Sequence, residues 1–496
     1  MKLAVIGLDG AAFELIDPWI EEGSLPNLKR VKEEGVWGDQ LSVLPPVTSP
    51  NWKAFATGKN PGKLGIFWWE NIDFKKQKVY YPNERKFKHK EIWDHLDDNG
   101  YRVGVIGMPT TYPPHEVNGF FMSSGPDAAD EGFTYPEELE ERLKDQYNIK
   151  IRPDMFIRSH PDEAAAEIHE IMDGQFDAAL DLAEEYDVDF LQLSIFHINV
   201  LQHFFWDDER TKKGWEIIDK KIGDVLEKAD NILFMSDHGS NKIEHVFNIN
   251  TWLENEGYLV TEFGFGDILK ALNINREFLA NISDKLHLQK FLRKFLPKSI
   301  IEGVPTQDGE IKKEGKASKV DWKNTKVFAS GQGPIYINKE AVDDVEALKD
   351  ELINKLEKIK HPESNKKILN KVFKKEEIYH GEFMEEAPDL IMDQAKGVHI
   401  TGGLGKKGVF EFSEKWKAEN KKYGLFAAIG EDVNKKGEIK DVSILDLAPT
   451  ILDYHGINIP SDMDGKVLQI FGNKCKPPSP KEEENKIKDA LNGIDI

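Results

Sequence analysis

The sequence predicts an α/β fold in which helices lie on both sides of a central, mostly parallel sheet. Continuous apolar runs recur along the chain, as expected of strands that are buried on both faces. These runs are Lys2–Leu8, Val103–Ile106, Phe190–Leu193 and Ile232–Met235. Helical patterns separate them, as in Trp215–Leu226, where apolar residues recur at spacings of three and four. Strands that alternate with helices are typical of a parallel sheet.

A chain of 496 residues is long enough for a large core with an insertion. We expect residues 1–258 and 396–475 to form the core. Residues 259–395 are expected to form an insertion, which begins with Lys-rich amphipathic helices at Ile268–Leu272 and Leu286–Leu296 and continues as a small α+β subdomain. A helix is expected over 340–358. The Pro-rich and charged segment 476–496 is expected to be a flexible tail.

The charge balance argues against a protein that binds nucleic-acid backbone. There are 66 basic and 88 acidic residues, and the formal net charge of −22 repels phosphate at long range. No apolar run approaches the roughly 20 residues of a membrane-spanning helix. Cys475 is the single cysteine, so an internal disulfide is impossible. These features predict a cytoplasmic protein without a membrane span.

Acidic residues and a histidine follow two of the predicted strands. Asp9 comes directly after an apolar strand, where a carboxylate must be hydrogen-bonded, paired or bound to a metal, unless Asp-Gly only forms a turn. Asp237 and His238 follow another strand and form a half-site suited to zinc or manganese. Ligands of such sheets bind beyond the carboxyl ends of the strands. The two segments are therefore expected at one edge of the sheet.

In two further segments, polar side chains have either a structural or a functional role. Thr48 lies in a Pro-rich stretch at an expected strand-to-helix turn, where its hydroxyl is either a helix cap or a nucleophile. Asn199 and His203 are four residues apart and share one face if the segment is helical. His203 is followed by aromatic residues, so a structural role is open beside a ligand role.

Taken in order, these segments resemble the alkaline-phosphatase superfamily, and most closely its type I phosphodiesterase and nucleotide-pyrophosphatase branch. The resemblance extends from Leu3 to about Leu468. It rests on stretches such as VIGLDG, PPVTSPNWKAFATGKNPGKLGIF, MPTTYPPHEVNGFFMSSGPD, NVLQHFFW, FMSDHGS, VDWKNTKVFASGQGPIYIN, EEIYHGEFMEEAPDLI and VSILDLAPTILDYHGINIPSDMDGKVL. It implies two metal ions and a phospho-enzyme intermediate. By this resemblance, one metal is held by Asp9, Thr48, Asp237 and His238, and Thr48 is the nucleophile.

The residues that the resemblance assigns to the other metal depart from the family pattern. The family uses Asp, then His four residues later, then a distant His. This chain has Asn199, His203 and Asn420 at those positions. Amide oxygens carry no charge and suit hard cations better than zinc. We therefore expect one strong metal site and an uncertain second one. Lys421 is a candidate replacement for the missing charge, and Asn71 is a candidate for holding substrate.

Three functions remain open from the sequence. The first is a phosphoester hydrolase that depends on a divalent metal, with zinc favoured and manganese or magnesium as alternatives. The second is a non-catalytic relative that binds an anionic ligand or a partner. The third is a phosphotransferase or mutase, which Thr48 disfavours because the mutases of the superfamily usually use serine. The expected ligand is a small phosphoester or another anion, and the oligomeric state is not predicted.

Overall fold

The computed structural model describes residues 1–80, 89–261, 319–413 and 415–475. The chain divides into two compact units. Of the described residues, the first unit contains 1–60, 89–241 and 415–475, and the second contains 61–80, 242–261 and 319–413.

Strands and helices are numbered in chain order over the described residues. The strands are β1 (Leu3–Leu8), β2 (Val36–Leu41), β3 (Asn71–Asp73), β4 (Lys78–Tyr80), β5 (Val103–Pro109), β6 (Gly119–Ser124), β7 (Thr134–Tyr135), β8 (Phe190–Ile195), β9 (Asn231–Met235), β10 (Gly239–Lys242), β11 (His245–Asn248), β12 (Val327–Ala329), β13 (Pro334–Ile337), β14 (Leu369–Lys374), β15 (Leu390–Gln394), β16 (Val398–Thr401), β17 (Phe410–Glu411), β18 (Ala418–Lys421), β19 (Tyr423–Gly430), β20 (Gly437–Glu438) and β21 (Val442–Ser443). The helices are α1 (Phe13–Glu21), α2 (Pro26–Glu34), α3 (Thr48–Thr57), α4 (Pro61–Leu64), α5 (Ile92–Asp98), α6 (Leu139–Tyr147), α7 (Pro161–Glu185), α8 (His197–Phe205), α9 (Glu209–Lys228), α10 (Ile249–Asn255), α11 (Val345–Leu356), α12 (Lys375–Ile378) and α13 (Leu447–Tyr454), with a 3-10 helix at Ile444–Asp446.

The first unit is built around a 10-stranded sheet in the order β20-β2-β19-β9-β1-β8-β5-β6-β7, with β21 also paired to β2. Strands β9, β1, β8, β5 and β6 run parallel to one another. Strand β19 runs antiparallel to both β2 and β9. The predicted fold class is therefore confirmed, with a mostly parallel sheet at its centre.

Helices pack on both faces of this sheet. Ile6 and Leu8 of β1 belong to one apolar cluster, which also contains Trp215 of α9. Leu3 and Val5 belong to a second cluster with residues of α3, α5 and α13. Successive side chains of a strand point to opposite faces, so a strand covered on both faces is apolar at every position. This explains why β1 is readable in the sequence as one continuous apolar run.

The second unit has its own core around a four-stranded sheet in the order β12-β13-β15-β14. Its core contains Leu348, Leu352 and Leu356, one side of α11, which lies inside the helix expected over 340–358. Residues 242–258 and 396–414, which we expected in the core, lie in this second unit. The amphipathic segments Ile268–Leu272 and Leu286–Leu296 and the tail 476–496 lie outside the described residues.

Among the helices that the structure describes, none is both long enough and apolar enough to cross a membrane.

Candidate metal centre

Neighbouring strands of the first unit bring the candidate ligands together. Strand β1 lies between β8 and β9 in the sheet, and all three are parallel. Asp9 directly follows β1, Asp237 follows β9 by two residues, and α8 begins two residues after β8. The carboxyl ends of these strands therefore meet at one edge, although Asp9 and Asn199 are separated by 190 positions in the chain.

Three buried side chains and one hydroxyl surround a common point. One donor atom from each of Asp9, Asp237 and His238 lies within 4.8 Å of the others. The Nε2 atom of His238 is 3.1 Å from Asp237 Oδ2 and 3.7 Å from Asp9 Oδ1. The Thr48 Oγ1 atom is 3.3 Å from the same Nε2. The structure thus places Asp9, Thr48, Asp237 and His238 together, as the sequence predicted.

The hydrogen bonds of His238 determine which nitrogen faces the carboxylates. Its Nδ1 lies 3.0 Å from the carbonyl oxygen of Gly239, so we assign the proton to Nδ1, which donates to that oxygen. Burial lowers the pKa of His238, although the charges of Asp9 and Glu419 oppose this shift. A neutral ring with its Nε2 lone pair turned toward Asp9 and Asp237 is the form that binds a metal.

The two buried carboxylates repel each other in the absence of a cation. Burial raises the pKa of Asp237 to about 7. Burial and then the charge of Asp237 raise the pKa of Asp9 well above its ordinary value. Since buried charges must be paired or bound to a metal, this pair favours a divalent cation. Two carboxylate oxygens, one imidazole nitrogen and one hydroxyl fit zinc or manganese.

Thr48 is the first residue of α3, after Val47 at the N-cap position, and no side chain caps this helix. The interpretation of Thr48 as the helix cap is therefore wrong. Asn51 fixes the preceding loop, because its side chain accepts from Val43 N and donates to the carbonyl oxygens of Pro45 and Val47. The first turn of a helix has N–H groups without intrahelical acceptors and favours anions. Thr48 thus combines a hydroxyl near His238 with a helix end that is suited to phosphate.

Two side chains that the sequence analysis did not single out for this role hold the Asp9 carboxylate. Trp52 donates from Nε1 to Asp9 Oδ2 at 2.9 Å, and Asn199 donates from Nδ2 to Asp9 Oδ1 at 2.7 Å. Trp52 lies four residues after Thr48, so a helix that begins at Thr48 places both on one face. That spacing was a signal available in the sequence.

The residues expected at the second metal do not form a comparable donor set. His203 Nδ1 lies 2.8 Å from the carbonyl oxygen of Ala418, and its ring stacks on Trp416 with a centroid separation of 4.0 Å. The Asn199 amide is bound to Asp9. Asn420 is buried on β18 and contributes no charge. Asn199 and Asn420 carry no charge, and Asn199 and His203 are bonded to protein groups, so the three residues do not fit a second tightly bound zinc ion.

Glu419 is a buried charge that the sequence analysis missed. Its side chain is fully buried on β18, one residue before Asn420, and its charge acts on His238. Side chains alternate along a strand, so Lys421 is expected on the same face as Glu419 and Asn420 on the opposite face. The burial of a glutamate in a polar segment depends on tertiary packing and has no sequence signal of its own.

Asn71 belongs to the second unit. It is buried on β3, and its amide donates to the carbonyl oxygen of Gly65 at 3.4 Å. The roles of Asn71 and Lys421 in holding substrate stay predictions.

The fold of the chain is similar to that of solved phosphonoacetate hydrolase structures. One is phosphonoacetate hydrolase from Sinorhizobium meliloti 1021 in complex with phosphonoformate, with 15% identity, a TM-score of 0.58, and coverage of 91% of this chain and 95% of that one. Another is the same hydrolase in complex with phosphonoacetate, with 14% identity, a TM-score of 0.58 and the same coverage. No curated protein sequence matches the chain.

This similarity shows the fold, a mostly parallel sheet with helices on both of its faces. The model of one family, type I phosphodiesterase / nucleotide pyrophosphatase, matches residues 3–424, and the chain belongs to that family. Membership confirms the resemblance found in the sequence and supports a phosphoester hydrolase.

Proposed function

We propose that the protein is a phosphoester hydrolase that uses Thr48 as its nucleophile and a divalent cation held by Asp9, Thr48, Asp237 and His238. One observation carries this proposal: the Thr48 hydroxyl is 3.3 Å from His238 Nε2, which in turn lies beside two buried carboxylates. A hydroxyl placed against a cation-binding group, at the start of a helix, suits attack on phosphorus.

A bound cation would lower the pKa of the Thr48 hydroxyl and offset negative charge on the phosphoryl group. Thr48 Oγ1 then forms a bond to phosphorus as the bond to the leaving oxygen breaks, and the hydroxyl proton is lost to solvent. Water subsequently breaks the Oγ1–P bond, which releases phosphate or a phosphomonoester and returns the proton to Thr48. The start of α3 holds the phosphoryl oxygens during both steps.

The substrate class is a small phosphoester or a related anion. The ligands in the structures of the similar hydrolase, phosphonoformate and phosphonoacetate, are small anions that carry a phosphonate group. We include Lys421 as a candidate for offsetting charge on such a ligand, because it is expected on the same face of β18 as Glu419, whose charge acts on His238. Lys421→Ala is expected to raise KM more than it lowers kcat.

The deciding experiment compares wild type, Thr48→Ala and Thr48→Ser on para-nitrophenyl phosphate and bis-para-nitrophenyl phosphate with Zn²⁺, Mn²⁺ or Mg²⁺. Loss of the nucleophile is expected to lower kcat by at least about 10³-fold, while the serine variant keeps a hydroxyl and stays within about tenfold of wild type. Mass spectrometry of acid-quenched enzyme should find a phosphoryl group on Thr48.

A non-catalytic function as an anion-binding protein is the second candidate. It is favoured by the second donor group, in which Asn199 and Asn420 provide amides. If wild type turns over no substrate above background and Thr48→Ala behaves identically, the hydrolase proposal fails. Saturable binding of inorganic phosphate that requires the cation would then support the second candidate.

A further inference from the structure

The orientation of Asn199 is fixed by the groups that surround it. Its Nδ2 lies 2.7 Å from Asp9 Oδ1, and only an N–H can face a carboxylate oxygen at that distance. Its Oδ1 lies 3.4 Å from Gln202 Nε2. Gln202 is itself held, because the same Nε2 donates to the carbonyl oxygen of Gly10 at 3.1 Å. The carboxamide therefore turns its nitrogen toward Asp9 and its oxygen away from it.

Gly10 closes the remaining space around this carboxamide. Gly10 has a φ of +68°, in the left-handed region that favours glycine. A Cβ atom at this position would lie only 2.3 Å from Asn199 Oδ1. The side chain of Asn199 therefore packs directly on the backbone that follows Asp9. A flip of the carboxamide would break its bond to Asp9 and would turn its NH2 group toward the Nε2 donor of Gln202.

Both carboxylate oxygens of Asp9 thus accept a hydrogen bond from a side chain. Trp52 donates to Oδ2 and Asn199 donates to Oδ1. A carboxylate oxygen has two lone pairs, so Oδ1 keeps one for the cation next to His238 Nε2. Groups that hold a metal ligand in this manner commonly change metal affinity by 10–100-fold when they are removed.

We infer that Asn199 is a positioning residue for Asp9 rather than a ligand of a second cation, so that the centre binds a single divalent ion. The Asn199 amide donates to Asp9 Oδ1 and carries no negative charge, so it supplies no anionic ligand to a second cation. This inference rests on the proposed metal site. It adds that the centre binds one ion and that the Asn199 amide positions Asp9 for that ion.

The experiment titrates wild type, Asn199→Ala and Asn231→Ala with Mn²⁺ alone, and follows binding by calorimetry and by electron paramagnetic resonance. Asn231 is a matched control. It is also a fully buried asparagine that donates to a carboxylate, Asp432, but it lies at the start of β9, at the opposite end of that strand from Asp237. Both substitutions remove a buried amide, so a general loss of packing affects both variants.

Wild type is expected to bind one Mn²⁺ with the spectrum of an isolated ion. Asn199→Ala is expected to keep this stoichiometry while its Kd rises about tenfold and the zero-field splitting of the bound ion changes. The Kd and the spectrum of Asn231→Ala should match those of wild type. Two equivalents with a spin-coupled spectrum in wild type, or an unchanged Kd in folded Asn199→Ala, would overturn the inference. Absence of any Mn²⁺ binding by wild type would instead overturn the proposed metal site.

Discussion

At the scale of single residues, the difference between the two expected metal positions lies in the side-chain termini. Asp9, Asp237 and His238 provide two carboxylates and an imidazole, all fully buried. Asn199 has the shape of the aspartate expected at its position, whereas Asn420 is smaller than the histidine expected at its position, and neither amide carries a charge. The two groups of residues therefore differ in charge and in their suitability for a cation: one has two carboxylates and an imidazole, and the other has two neutral amides beside His203.

Restoring these two groups is a direct prediction. The double variant Asn199→Asp with Asn420→His is expected to bind a second equivalent of Zn²⁺ and to hydrolyse bis-para-nitrophenyl phosphate faster than wild type. A carboxylate and an imidazole replace two neutral amides, while His203 remains. Elemental analysis after dialysis measures the stoichiometry, and the single variants are the controls. If the folded double variant still binds only one equivalent of Zn²⁺, the assignment of positions 199 and 420 to a second metal site is wrong.

At the scale of secondary-structure elements, a buried ionic network joins α3 to the start of α5. Lys53 of α3 lies 2.6 Å from Glu91, which is fully buried. His115 lies 2.9 Å from Asp94 and 3.3 Å from Glu91. The Lys53 ammonium group already neutralises Glu91, so these four residues hold α3 and α5 together and do not form a metal site. Since α3 begins at Thr48, the network also fixes the helix that carries the proposed nucleophile.

This network makes stability depend on pH in a defined direction. Burial lowers the pKa of His115, but its hydrogen bond to Asp94 and the charges of Glu91 and Asp94 outweigh both burial and Lys53, so that the pKa is raised. A raised pKa means that the folded state binds the proton more tightly, so the stabilisation is complete below about pH 6.5 and is lost as pH rises through the folded-state pKa.

His115→Gln is therefore expected to cost about 1–2 kcal/mol of unfolding free energy near pH 5.5, and less near pH 9. Urea unfolding at both pH values measures the difference. If the unfolding free energy falls by the same amount at both pH values, His115 stabilises the fold through packing and not through its charge.

The elements also show how far the sequence determines the fold and the centre. Strands β1, β5, β8 and β9 were predicted because their apolar runs are continuous and end at polar residues or glycine. Strand β2 was missed, since its buried and exposed positions alternate through Trp37, Gly38 and Asp39. Helix α11 is shorter than expected, because Asp344 caps it by accepting from Ala347 N at 3.0 Å.

Within the centre, the candidate metal ligands could be recognised in the sequence, whereas the side chains that hold Asp9 could be recognised only in part. An acid after a buried strand is unusual enough to stand out, as with Asp9 and Asp237. The spacing of Thr48 and Trp52 places both on one helix face, but the bonds of Trp52 and Asn199 to Asp9 also depend on how α3 and α8 are oriented above the sheet edge. A single sequence does not contain that orientation. The same reason explains why the burial of Glu419 was not foreseen.

At the scale of the whole molecule, cation binding should stabilise the fold. The centre draws its ligands from separate parts of the first unit, so unfolding disperses them. A free ion concentration about 100 times Kd adds about 2.7 kcal/mol to the unfolding free energy. Thermal unfolding with Mn²⁺ and with a chelator measures the shift. Asp237→Asn should remove this response, and should not destabilise the metal-free protein because it relieves repulsion with Asp9. Equal transition temperatures with ion and chelator in wild type would contradict the prediction.

Net charge gives a second prediction for the whole molecule. A charge of −22 repels anionic substrates before they reach the centre. Raising the salt concentration from about 0.01 M to about 0.15 M shortens the screening length from about 30 Å to about 8 Å. We therefore expect kcat/KM for bis-para-nitrophenyl phosphate to rise at least about twofold over this range. For para-nitrophenyl phosphate, a doubly charged monoester, kcat/KM should rise more steeply with salt. A fall of kcat/KM for both substrates would mean that positive charge near the centre outweighs the net charge of the protein.

The position of β19 has a consequence for the order in which the chain is made. Strand β19 lies between β2 and β9, yet it is formed by Tyr423–Gly430, almost 400 residues after β2 has been synthesised. Until the ribosome has released those residues, β2 lacks β19 as its partner and β9 has an open edge. A transcript truncated shortly before this strand would still encode Asp9, Thr48, Asp237 and His238. Its product would nevertheless expose two sheet edges to other nascent chains, which favours aggregation over assembly of the centre.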